Sequence, residues 1–176
     1  MVAKPEMLKP GEKGIIEGRY DGSKMDDWGY VNDLVRIVLN DEVVNNVYMV
    51  VSANLTEDFK SLSKEQLANA PIAEFESTKF DFGSIKQQQS ADVKFSFVNK
   101  GKSDLIIRKV RSSCGCTTVT PSNLVIKPGQ KSSIDARFDA GVRKGKQHKV
   151  ITVITNDPKN SQIILVVSGD VIEPGK

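Results

Sequence analysis

Asp92-Val-Lys-Phe-Ser-Phe-Val98 is the stretch on which the fold turns. Apolar and polar side chains alternate strictly, so Val93, Phe95 and Phe97 share one face of a β-strand. The segments around it have the same character. Phe80-Asp-Phe82 stops at Gly83, Asn99-Lys-Gly-Lys102 is a turn, and Leu105-Ile-Ile-Arg-Lys-Val110 is a further strand. Leu124-Val-Ile126 ends at Pro128-Gly129, the composition of a type II turn, because glycine tolerates the positive φ required at the second central position. Ser132–Phe138 alternates with Ile134, Ala136 and Phe138 inward. Lys149–Thr155 places Val150, Thr152 and Ile154 on one face and Ile151 and Val153 on the other. Gln162–Val167 is the most apolar run and is expected to be the best-buried strand. About seven strands without a crossover helix predict an all-β, antiparallel immunoglobulin-like sandwich.

Part of this pattern occurs twice. Leu8-Lys-Pro-Gly-Glu-Lys-Gly-Ile-Ile-Glu-Gly-Arg-Tyr-Asp21 matches Ile126–Asp139 at an offset of 118, with seven of fourteen positions identical. Asn40-Asp41 matches Asn156-Asp157, and Val47–Leu55 matches Ile163–Val171, at an offset of 116. Nothing before Leu8 corresponds to residues 75–118, and Pro5 aligns roughly with Pro121. The expected organisation is a partial, C-terminal-half sandwich over 1–55, a helical linker over 56–73, a complete sandwich over 74–173 and a tail at 174–176. The missing half is read as a truncation or a misassigned start. Four strands without their partner sheet would leave one apolar face open, which makes a homodimer or strand exchange through the incomplete sandwich a candidate. In the linker, Ser63-Lys-Glu-Gln66 fits a capping box, Leu62, Leu67 and Ala70 lie near one helical face, and Pro71 would stop the helix.

The 176 residues carry a net charge of +3, but unevenly. Residues 1–73 hold 8 basic and 12 acidic side chains, and residues 74–176 hold 17 and 10. That division supports a boundary near residue 73. The basic excess lacks interleaved aromatics or a nucleic-acid motif, so a solvated face is preferred and no nucleic acid is expected. No run approaches the ~18 apolar residues of a membrane span, and residues 1–14 contain no apolar signal-peptide core. A targeting segment, where the natural protein has one, is expected to be absent from this chain.

Five motifs in order carry a family resemblance: Phe80-Asp-Phe-Gly-Ser-Ile85, Phe97-Val-Asn-Lys-Gly101, Ser113-Cys-Gly-Cys-Thr-Thr118, Ile126-Lys-Pro-Gly129 and Thr155-Asn-Asp157. Together they closely resemble the bacterial family known as domain of unknown function 1573, within the group of hydin-type and pilus-chaperone-like Ig domains. The resemblance spans 75–173, with half of another copy at 8–55. It implies exported proteins, often lipoproteins of gram-negative bacteria, located in the periplasm or anchored at the outer membrane and without an established activity.

Cys114-Gly-Cys116 is the one constellation with chemistry in it. Two thiols separated by glycine can close a small disulfide ring or hold a soft ion such as Cu(I). Gly115 would ease either geometry, and Arg108, Lys109 and Arg111 could lower a thiol pKa if they point the same way. A structural or disulfide role is preferred to thiol redox and to metal, because two ligands rarely suffice for a specific metal site. His148 has no acidic or cysteine neighbour in sequence and is read as a surface residue rather than a ligand or the base of a Cys114 nucleophile. The Gly-x-Ser-x-Gly, phosphate-loop and His-Glu-x-x-His signatures of enzymes are missing. Asp139 and Asp157 are expected to organise turns rather than act as paired acids.

Two loops are candidate interaction sites. Arg143, Lys144, Lys146 and His148 form a basic tip able to meet an anionic glycan, although a solvated hairpin end is preferred. In the first copy the same loop is acidic and aromatic, and Trp28 and Tyr30 there are better candidates for protein or glycan binding, or else core residues. The expectation is a non-catalytic structural or interaction module of an exported envelope protein, with an unknown protein or envelope glycan as partner and no cofactor. The alternative is a thiol-redox or Cu(I)-handling protein using Cys114 and Cys116.

Overall fold

Alternation dictates nearly the whole chain. The computed structural model describes residues 2–173, and the tail placed at 174–176 lies outside the described residues. The N-terminal part contains β1 (Val2–Lys4), β2 (Ile15–Glu17), β3 (Gly29–Leu39) and β4 (Glu42–Leu55). An α-helix follows, α1 (Lys64–Ala68). The rest is β5 (Ala73–Phe75), β6 (Lys79–Lys86), β7 (Ser90–Asn99), β8 (Leu105–Ser112), β9 (Thr117–Pro121), β10 (Val125–Ile126), β11 (Lys131–Asp139), β12 (Gly145–Thr155) and β13 (Gln162–Ile172).

Strands β5 to β13 form a five-stranded sheet ordered β10-β8-β12-β13-β6 and a four-stranded sheet ordered β5-β7-β11-β9. One core joins them. Val93, Phe95, Phe97, Ile134 and Ala136 from the smaller sheet meet Leu105, Ile107, Ile151, Val153, Ile163, Leu165 and Val167 from the larger. The faces read from alternation are therefore the buried ones, with two refinements. Gln162–Val167 alternates, since Ile164 points outward and is exposed while Ile163, Leu165 and Val167 are buried. Ile154, on the outer face of β12, is buried as well, because Gly29 sits against its side chain.

The strand count also rises, by β5 and β9, both too short to alternate visibly. One pairing is parallel, β6 beside β13. No crossover helix is required, because the chain passes through β7, β9 and β11 of the opposite sheet between these two strands. Pro128-Gly129 turns as read: Gly129 has φ 76°, and the Gln130 N–H donates to the Lys127 carbonyl at 3.0 Å.

The N-terminal strands form two separate pairs, β1–β2 and β3–β4. Their registers repeat those of the sandwich. Ala3 pairs with Ile16, and 118 residues later Pro121 pairs with Ile134. Pairing from Gly29–Leu55 to Arg36–Tyr48 recurs, 116 residues on, from Gly145–Val171 to Thr152–Ile164. Lys9 N–H donates to Glu12 Oε2 at 2.9 Å, as Lys127 N–H does to Gln130 Oε1 at 3.1 Å. Ala3, rather than Pro5, therefore stands where Pro121 stands.

The hairpin ends differ. Asn40 and Asp41, at φ 50° and 64°, close β3 to β4 in a two-residue turn. Asn156 and Asp157 instead organise a longer loop. The capping box forms, with Gln66 N–H donating to Ser63 Oγ and Ser63 N–H to Gln66 Oε1, but the helix lasts only five residues.

Candidate functional site

Each residue singled out in the sequence has a definite place. Cys114 and Cys116 are joined to each other by a disulfide. Cys116 is 8% exposed and packs with Phe138, Ala140 and Val171, against Phe82 and Ile85. The segment is held locally: Ser112 Oγ donates to the Cys114 carbonyl and accepts from the Cys114 N–H. Gly115 has no positive φ, and a methyl group there would meet nothing within 4 Å, so the freedom expected of this glycine is not used.

The cations expected to activate a thiol are engaged elsewhere. Arg108 makes a forked ion pair with Glu57 at 3.1 Å and lies 5.0 Å from the centre of the Trp28 ring. Lys109 and Arg111 both bind Asp27, and Arg111 also donates to the Tyr30 carbonyl. Trp28 is thus half-buried over Arg108 rather than free, whereas the Tyr30 side chain is 59% exposed. These contacts, with Gly29 seated on Ile154, form a joint between the N-terminal strands and β8 and β12. Nothing local in the sequence relates Asp27 to residues 82 and 84 positions away. Only the opposite charges of the two halves hinted at it.

Asp27 is held below its ordinary carboxylate pKa of 3.8, first by the hydrogen bond from Lys109, then by the Trp28 N–H and the charges of Lys109 and Arg111, with burial opposing. A depressed folded value means that the carboxylate stabilises the joint above 3.8 and that this contribution is lost as the pH falls through the folded value. The joint is therefore expected to be insensitive to pH between 5 and 8 and to open under stronger acid. Small-angle scattering should report an increased radius of gyration only as the pH is taken below 3.8, and Asp27→Asn should give the same increase at pH 7.

The basic tip is not an isolated basic patch. Lys144 pairs with Glu173 at 3.4 Å, and Lys146 stands opposite Asp170 across β12 and β13. Exposed His148 shares a shallow polar concavity with Asp81 and Asp170, carboxylates that sequence proximity did not offer it. Arg143 Nη1 reaches the Asp139 carbonyl. Asp139 and Asp157 are turn organisers: Asp139 accepts from the Gly141 N–H, and Asp157 from the N–H groups of Ala73, Lys159 and Asn160. Among the described residues no group of three or more His, Cys, Asp or Glu side chains could hold a metal ion, and no helix is long and apolar enough to cross a membrane.

The β3–β4 hairpin carries a run of exposed apolar side chains. Leu34, Val38, Tyr48 and Val50 project outward from it, and Tyr48 is 60% exposed. The pattern of alternation there is ordinary. Tyr48 is the counterpart of Ile164, so this face corresponds to the outer face of β13, which is exposed as well.

Comparison with known proteins agrees with this architecture. A family described as "Protein of unknown function (DUF1573)" matches residues 73–171. No curated protein matches the chain. The crystal structure of a protein of unknown function from Porphyromonas gingivalis W83 superposes with a TM-score of 0.65 at 20% identity, covering 82% of this chain and 66% of that one. The PapD-like domain 7 (ASH) of human CEP192 superposes with a TM-score of 0.50 at 12% identity, covering 70% of this chain and 99% of that one. Both are likenesses of fold.

Proposed function

The chain belongs to the DUF1573 family of proteins of unknown function, and from that premise we propose that it is a non-catalytic interaction module of an exported bacterial envelope protein. In this reading residues 1–55 are a partial copy of the sandwich at 74–173, joined to it by the linker at 56–73. The coincident registers of β1–β2 with β9–β11, and of β3–β4 with β12–β13, support the duplication. The observation that carries the interaction role is the β3–β4 hairpin. It presents an outward apolar face and is held at a defined angle by the Asp27, Trp28 and Glu57 joint. Its partner is a protein or an envelope glycan. The Cys114–Cys116 disulfide supports export, because such bonds persist in oxidising compartments.

Two measurements test this. In its host cells the chain is expected in the envelope fraction with both cysteines refractory to alkylation until reductant is added. Freely labelled thiols in a cytoplasmic fraction would overturn export. A photo-crosslinking side chain at Tyr48 is expected to capture a macromolecular partner in those cells, and the same group at Lys131 is not. Equal yields at the two positions would remove the hairpin as the binding face.

Opening the disulfide has a modest expected effect on stability. A bridge closing so short a loop contributes about 2 kcal/mol by chain entropy. Reduction should therefore lower the urea midpoint without unfolding the sandwich.

A further inference from the structure

Two loops at one end of the complete sandwich bring three lysines to one small cavity. Lys100 and Lys102 lie on the turn between β7 and β8, and Lys159 lies on the loop between β12 and β13. Together with Leu67 of α1 and with Ala70 and Pro71 beyond it, they line a concavity of about 140 Å³. The backbone that carries the lysines is fixed. Lys100 N–H donates to the Ile72 carbonyl at 2.9 Å, and Lys102 N–H donates to the Ala70 carbonyl at 3.3 Å. Asp157, 1% exposed, accepts from the N–H groups of Lys159 at 2.9 Å and Ala73 at 3.0 Å. The loop of Lys159 is thereby tied to the start of β5.

The positions are set, but the charges are not met. Among the described residues, the lysine Nζ atoms that pair with a carboxylate are those of Lys4, Lys24, Lys109 and Lys144. Lys100, Lys102 and Lys159 are exposed and are not in that group. Asp104, on the same turn as Lys102, is not a lining residue, and the Asp157 carboxylate is turned inward onto backbone N–H groups. Gathering three like charges around one small volume costs free energy, and an anion seated there offsets that cost.

The kind of cation says what kind of anion fits. An ammonium is a point charge with three rotatable donors, whereas a guanidinium is a planar fork that matches a carboxylate. The cations lining this cavity are lysines throughout, and they come from two separate loops. Point charges approaching from different directions suit the oxygens of a tetrahedral group better than the two coplanar oxygens of a carboxylate.

We propose that Lys100, Lys102 and Lys159 form a binding site for a phosphate group. This site does not use the β3–β4 hairpin and goes beyond the interaction role stated above.

The test follows the backbone amide signals of the isotopically labelled full chain by NMR at constant ionic strength. Glucose 6-phosphate and inorganic phosphate are expected to shift the amides of Lys100, Gly101, Lys102 and Lys159. Glucose, and succinate as a dianion without a tetrahedral group, are expected not to. Lys102→Ala should weaken phosphate binding roughly tenfold, the usual loss for one charge-assisted hydrogen bond. Lys94→Ala removes the same charge from the outer face of β7 and should change the affinity less than about twofold. Both residues are exposed, so both variants should keep the wild-type urea midpoint.

Three comparisons assign the source of the phosphate, each with the site upheld. Preference for glucose 6-phosphate over inorganic phosphate points to a glycan. Sedimentation with vesicles of phosphatidic acid in phosphatidylcholine, but not of phosphatidylcholine alone, points to a lipid. Preference for inorganic phosphate over both points to the free ion. No shift with either phosphate at millimolar concentration, equal shifts with succinate, or equal losses in Lys94→Ala and Lys102→Ala overturns the proposal. None of these results bears on capture at Tyr48, so the two readings fail separately.

Discussion

Asn99→Ala is expected to lower the stability of the sandwich by about 3–5 kcal/mol, a large share of the total for a domain of this size. Asn99 is 0% exposed, and its amide makes four hydrogen bonds. Oδ1 accepts from the N–H groups of Ile72 and Gly101 at 3.3 and 2.9 Å. Nδ2 donates to the carbonyls of Ser103 and Ile126, both at 2.8 Å. The side chain thereby ties the entry to β5, the turn after β7 and the end of β10 at one point. Truncation removes all four bonds, and the Ile126 carbonyl beside it is buried. Urea unfolding should show a lower midpoint with an unchanged slope. Asn99→Asp should be no better at neutral pH, since a carboxylate would turn an acceptor toward the Ser103 and Ile126 carbonyls. A loss below about 1 kcal/mol for Asn99→Ala would mean that this junction does not hold the sheets together.

Gly101→Ala is expected to cost about 3 kcal/mol or more, for a different reason. A Cβ at this position would lie 2.3 Å from the Ala70 carbonyl oxygen, 2.4 Å from Pro71 Cα and 2.5 Å from Ile72 N. All three are backbone atoms, so no rotamer change can make room. The chain leaving α1 passes directly over Gly101, in a geometry also held by hydrogen bonds from Lys102 N–H to Ala70 O and from Lys100 N–H to Ile72 O. Gly115→Ala is the control, because its methyl group meets open space and its φ is ordinary. The expected change in melting temperature is about 10 °C or more for Gly101→Ala and within error for Gly115→Ala.

These positions show how far the sequence can be read. Asn99-Lys-Gly-Lys102 was legible as a turn, from composition alone. That Asn99 reaches Ile72 and Ile126, each 27 residues away, was not, because neither partner lies in the local window that turn chemistry reports. The Cys-Gly-Cys motif was legible as a pair of nearby thiols. That Arg108, Lys109 and Arg111 turn toward Glu57 and Asp27 was not, because those partners lie far outside the local window. Trp28 was legible as an aromatic in an acidic loop, and only its position over Arg108 moved it from a free binding surface into the joint.

What the sequence by itself determined is what repeats at short range. Alternation set which side chains of β7, β11 and β12 face inward, Pro128-Gly129 set its turn, and the offsets of 118 and 116 set the correspondence between the two parts. Each depends on residues a few positions apart, or on comparing one stretch with another. Tertiary structure decided which edges meet: β6 parallel to β13, with Phe82 over Gly169, and β8 antiparallel to β12. The physical reason is that a strand's pattern specifies its faces but not its edges. Backbone hydrogen bonds are the same for every sequence, so the partner along an edge is chosen by long-range packing, as where the missing side chain at Gly169 makes room for the Phe82 ring.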